Sequence, residues 1–335
     1  MHARPFICAV GILAVSTLLS LSTPAVAAPR AFDYSVVSMG QVDLWGRARI
    51  VGTRQHAVNL LSEVEGQDDA VRLSGRSRLA GDVYTVSPTD VVSLSGSSAI
   101  GARRGHRGLQ AAQNVHLGAD DIPLPTLDAA AFGALATTMV DADTITRGNL
   151  TFQNIRIAAG TNPVFSGNIN LLGLVLIESP NRVTFQGNVR LRGMIVGEDG
   201  EEGADNSIAA TGTFYSRGVE SLPNRPQFAA LKAMGGSMLL APDFDVTFAG
   251  RTRIRNGTIA AESLVLGDHS RARVHGSVLI YGSSLSLGGH TSLRTIYTPG
   301  AGLPPGLGAS VPEPGTLAVL ALGAMALAAR KRYGR

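Results

Sequence analysis

One pair of segments constrains this chain more than anything else in it. Residues 165–173 read FSGNINLLG and residues 185–193 read FQGNVRLRG, an offset of 20 residues, and the match runs on as LVLIE against MIVGE. The same pattern returns at 42–52 (VDLWGRARIVG), 71–81 (VRLSGRSRLAG) and 246–254 (VTFAGRTRI), with weaker copies at 92–100 and 285–293. Its rule is apolar-x-apolar-x-Gly, three residues, then apolar-x-Gly. Apolar residues at i and i+2 point to one side of a strand. The glycine that follows permits a corner where a Cβ would clash or φ must be positive. The next aliphatic then turns inward on a new short strand.

A unit of this size cannot bury its apolar side alone, but copies stacked on one another make a continuous core. Rungs of 20 to 29 residues therefore predict an all-β chain wound as a parallel β-helix, or β-solenoid. At roughly 4.8 Å per rung, about ten rungs give a rod on the order of 50 Å long. A β-sandwich is the alternative, since the same alternation can line two facing sheets. The apolar-Gly-apolar register inside single repeats favours the solenoid. It predicts that Val42, Leu44, Val71, Leu73, Phe165, Leu171, Phe185, Leu191, Phe248 and Ile254 share one core.

The chain divides accordingly: N-terminal β repeats over 28–101, a linker and helix over 102–145, and the main solenoid over 146–297. A Pro/Gly spacer follows at 298–310. Residues 127–140 (LDAAAFGALATTMV) predict a flanking helix with Thr126 or Asp128 as N-cap, lying across the rod to shield a strand edge. A second short helix is expected from Pro226 to Met234, with proline in its first turn.

Charge narrows the function classes. The formal net charge is +4, but Arg4, Arg330, Lys331, Arg332 and Arg335 carry five of the 29 cations, and Glu313 one of the 25 acids. The region between is left with 24 of each and sums to zero, so a nucleic-acid partner is not expected. The single cysteine, Cys8, lies in an apolar N-terminal stretch, which leaves no disulfide or thiolate ligand for the rest of the chain.

Motifs for chemistry are sparse. Gly-x-x-x-x-Gly-Lys and Gly-x-Ser-x-Gly are both absent. His269 and His275 stand six apart, a spacing that turns a solenoid corner, so no metal site and no cofactor are expected. The acidic run GEDGEEGAD at 197–205 fits neither an EF-hand nor a calcium roll and reads as a solvated loop. Arg190, Arg192, Arg251 and Arg253 fall at alternating, outward strand positions, where they could bind an acidic polysaccharide. Without a clustered carboxylate pair the chain reads as non-catalytic, a β-helix lyase or hydrolase acting on polysaccharide being the alternative.

The two ends concern destination. Arg4, the apolar stretch to Leu21 and Ala25-Val26-Ala27 form a secretory signal peptide over 1–27, or alternatively an uncleaved anchor. The last 25 residues begin with Val311, Pro312, Glu313 and Pro314, continue as an uncharged apolar run, and stop at Arg330, Lys331 and Arg332. An apolar run closed by a basic cluster fits a membrane helix with a cytoplasmic end. It spans only about 22 Å at 1.5 Å per residue, short for a bilayer core of roughly 30 Å. This order of parts resembles the PEP-CTERM sorting signal. The resemblance implies an exported protein held briefly in the inner membrane and cut by an exosortase near Pro312-Glu313-Pro314, then passed to the envelope or outside. Asn162-Pro-x-Phe-x-Gly-Asn168, with its copy ending at Asn188, also resembles bacterial envelope ectodomains, a likeness that brings no catalytic residues.

Overall fold

The computed structural model describes residues 30–53, 56–64, 69–89, 92–101, 113–201, 203–296 and 306–308. Twenty-two strands pair in parallel into one right-through stack of about 11 turns. Each turn contributes to three ladders in a fixed order. In one turn these are 278–280, 284–287 and 292–295; in the preceding turn they are 259–261, 263–266 and 271–274. The coil therefore has three faces around a single core. All ten residues expected to share that core do so, each at most 1% exposed. Phe165 sits in register on Phe185 with ring centroids 5.4 Å apart, which a sandwich placing them on opposite sheets would forbid. Phe152, Phe165, Phe185, Phe214 and Phe248 continue as one internal column, with centroid spacings of 5.4 to 5.6 Å.

The two repeat glycines have separate causes. Gly75 has φ +72°, and a Cβ there would lie 2.8 Å from the carbonyl oxygen of Gly46 in the next turn. Gly193 marks the later corner, where a Cβ would stand 1.8 Å from the Gly173 oxygen. Corners of stacked turns approach backbone to backbone, so side chains are excluded. The Asn-Pro-x-Phe motif is structural as well. The Asn181 side chain accepts from the Asn162 backbone N–H at 2.8 Å, and the Asn206 side chain accepts from Asn181 N–H at 2.9 Å.

The order of turns does not follow the chain. Val36 pairs with Val278 on one side and Leu60 on the other, and Ile50 lies between Leu293 and Leu79. The N-terminal turns, 36 to 117, are stacked beyond the turn that contains 278–295. Residues 118–137 then return along the outside of the rod to its other end. The described segments nearest the two termini, at Ala31 and Leu307, are both buried against the same flank.

That return segment differs from the expected helix over 127–140. Only Ala130–Gly133 is helical. Leu127 pairs antiparallel with Leu307, and Thr138–Val140 is a strand in register with Ile155 to Ile157. Thr137, Thr138 and Val140 are β-branched, and an open parallel edge was available to them, so pairing won over the alanine-rich helix propensity. The strap shields a face of the rod through Ile122, Leu127, Ala129 and Phe132, all buried. The second short helix does form, as a 3-10 turn at Pro226–Phe228 followed by Ala229–Ala233, and it packs on the same face through Phe228 and Leu231. The expected spacer is tied down within its length by Leu307–Gly308. The expected signal peptide, the apolar tail and its basic stop lie outside the described residues. Among the described residues no helix is long and apolar enough to cross a membrane.

Candidate functional site: an arginine face

The third ladder of each turn has apolar residues inward and arginines outward. Arg190 is in register with Tyr215, then Arg253, Arg271, Ser292, Arg49 and Arg78 in successive turns. Two residues along, Arg192 continues through Arg217, Arg255, Arg273 and Arg294. At the corner before them, Arg251, Arg47 and Arg76 add a third, interrupted column. Every one of these arginines is exposed, and among the described residues none is in an ion pair. Turns stack at roughly 4.8 Å, where two unit charges in water still repel by about 1 kcal/mol. The four arginines expected to face outward are thus part of a much longer field.

Two hollows open along it. One of about 720 Å³ lies between Arg253, Arg255, Arg273, Arg294 and Arg49. The other, of about 640 Å³, is bounded by Tyr215, Arg251, Arg253, Arg271 and two histidines. Tyr215 receives a 2.8 Å hydrogen bond from Arg217 Nε, and the Arg217 and Arg255 guanidinium carbons lie 5.3 and 5.9 Å from its ring centre. That hydrogen bond, with the surrounding arginine charge, holds the phenol below its ordinary pKa. Trp45, 51% exposed, lies against Gly288 at the neighbouring corner. Sequence reasoning missed both aromatics, because each reads as a single residue in a degenerate repeat.

The balancing acids are elsewhere. Glu178 and Glu198 pair with Arg156, and Asp205 with Arg182. Asp199 and Glu262 are each raised in pKa, by burial first and then by neighbouring acids that include Asp243. Glu63, buried where the strap crosses, is pushed up to about 7 by burial and then by Asp121. A chain whose middle sums to zero has therefore largely separated its charges, with unpaired arginine on one face and these carboxylates away from it. Within the acidic loop, Gly200 N–H donates to Asp243 at 2.7 Å, tying the loop back to the rod.

Asp268, His269 and His290 meet at the corner leading into the arginine face, their donor atoms within 4.8 Å of one another. Sequence spacing drew attention only to His269 with His275, from which no metal site was expected, and gave no sign of this cluster.

A polyanion is the ligand this face can hold. Guanidinium forks bind carboxylate, sulfate or phosphate with two parallel hydrogen bonds, and a linear arrangement repeated per turn suits a linear polymer. Val311, Pro312, Glu313, Pro314, Arg330, Lys331 and Arg332 lie outside the described residues. No curated protein and no solved structure matches the chain. The family model for the PEP-CTERM protein-sorting motif matches residues 310–332, the stretch that holds all seven. That motif implies an exported protein that is processed by an exosortase and passes the membrane to the envelope or outside. The chain thus carries a PEP-CTERM sorting motif at residues 310–332, and its described part is a three-faced β-solenoid.

Proposed function

We propose that this is a non-catalytic structural protein of the cell envelope or extracellular matrix, and that its arginine face binds an acidic polysaccharide. Residues 1–27 direct export as a signal peptide, and the apolar tail holds an inner-membrane intermediate until exosortase cuts near Pro312-Glu313-Pro314. One observation carries the binding role: a continuous exposed arginine field that nothing among the described residues neutralises. Such a field destabilises the bare rod and is relieved by a polyanion, so it is better explained by a ligand than by folding.

Incubating the purified exported protein with a uronic-acid polysaccharide tests both halves. The expected result is salt-sensitive binding with no release of unsaturated or reducing ends. Release of either would replace this reading with that of a β-helix lyase or hydrolase. For the sorting half, Glu313→Ala is expected to leave the full-length chain in the inner membrane, followed by immunoblot of membrane and released fractions. Normal release of a shortened product by that variant would remove Glu313 from recognition.

A further inference from the structure

The corner at Asp268 carries a second kind of chemistry. We infer that Asp268, His269 and His290 form a site for one divalent transition-metal ion of the zinc class. Asp268 and His269 belong to one turn and His290 to the next, so stacking rather than sequence spacing brings them together. The Asp268 Oδ1 accepts from two backbone N–H groups, His269 at 3.0 Å and His290 at 2.7 Å, which fixes the carboxylate. The two imidazole rings lie nearly parallel, 23° apart, with centroids at 5.8 Å.

His269 Nδ1 is 3.4 Å from Asp268 Oδ2, and His290 Nδ1 is 3.5 Å from Oδ1. A charge-assisted N–H···O bond would be roughly 2.7–2.9 Å. Tetrahedral zinc, with bonds of about 2.0–2.1 Å, sets its donors about 3.3–3.4 Å apart. The observed separations are longer than the first. They run to different carboxylate oxygens, and with all donor atoms within 4.8 Å of one another a small shift would close the three groups on one ion. Two imidazoles and one carboxylate suit zinc, whereas calcium and magnesium want six or more oxygens. His269 and His290 also line the hollow that holds Arg251, Arg253 and Arg271. A carboxylate of a ligand in that hollow would complete the shell.

The surroundings fix the character of the site. Arg47 Nη1 lies 3.3 Å from His290 Nε2. With an ion on Nδ1 the ring proton sits on Nε2, so this exposed arginine must turn aside. The arginine field also repels a bare cation. Added salt screens that repulsion, so metal binding strengthens with ionic strength while polymer binding weakens. The opposite signs separate the two sites.

Calorimetric titration of the purified protein with zinc chloride, in the absence of polymer, tests the inference. Expected are one ion per chain, an affinity that rises with sodium chloride, and at least about a tenfold loss in His269→Asn and in His290→Asn. His275→Asn is expected to bind as the parent does. Residue 269 has φ +66°, which asparagine tolerates, and an unchanged unfolding midpoint without metal reports that each variant is folded. No saturable binding, or binding retained by the double histidine variant, would overturn the site. Binding that weakens with salt would overturn its placement in the arginine field. None of these outcomes bears on polymer binding, which is measured separately.

Discussion

Two faces of the same coil, built on the same strand geometry, meet opposite fates. On the first face the outward positions are Leu176, Val196, Leu240, Ala260 and Leu279, and all are buried beneath the strap, the short helices and Leu307. On the third face the outward positions are mostly arginines, and no described segment covers them. Parallel strands covered on both sides read as continuous apolar runs, which is why LVLIE and MIVGE lack the alternation of RVTF and TRIR. The difference teaches that the coil's inward residues make the rod, while its outward residues decide which side is closed by the chain and which is left for a partner.

Removing the strap's anchor should break the first face hardest. Phe132 is fully buried, packed near Leu240 and Gly306. Phe132→Ala is expected to cost about 3–5 kcal/mol, read as a lower denaturant midpoint. A loss below about 1 kcal/mol would mean that the strap only rests on the rod.

A smaller effect lies at the strap's crossing of the N-terminal turns. Ile122 N–H donates to Glu63 at 3.2 Å, and the carboxyl's folded pKa is about 7 against an ordinary 4.5. A raised acid pKa means that the fold favours the protonated form. Its contribution is therefore fully present below pH 4.5 and is lost as pH rises through 7. Glu63→Gln is expected to gain about 1–2 kcal/mol at alkaline pH, after discounting for water that reaches the group, and little in acid. Equal gains at both pH extremes would show that the carboxyl does not titrate in this range.

The third face should be the least sensitive. Arg190, Arg192, Arg251 and Arg253 changed together to Ser should each alter stability by under about 0.5 kcal/mol, and relief of mutual repulsion can make the sum favourable.

Much of this was legible before any coordinates. Alternation and the two glycines of each repeat were enough to place Phe165 on Phe185 and Ile254 in the same core, because side-chain period and corner sterics are local properties. The stacking order was not. Nothing near Ile50 announces Leu293, since parallel pairing leaves no turn signature and its partner is more than 200 residues away. The strap was misread because its alanines favour helix, whereas the vacant strand edge at Ile155 to Ile157, which composition does not announce, decided Thr138 to Val140. The arginine field was half visible. Arg190 and Arg253 could be placed outward one repeat at a time, while their continuity with Arg49 and Arg78 depends on that long-range order. The Asp268 corner is invisible to motif spacing, because its histidines are separated by a whole turn.

The most direct test is the affinity of the purified exported protein for a uronic-acid polysaccharide as sodium chloride is raised, for the parent and for the Arg190/Arg192/Arg251/Arg253→Ser variant. The account predicts that log affinity falls steadily with log salt for the parent, and that the variant binds at least about tenfold more weakly with a shallower slope. Parent binding that ignores salt, or a variant that binds with the parent's affinity and slope, would contradict the arginine face as the polymer-binding surface.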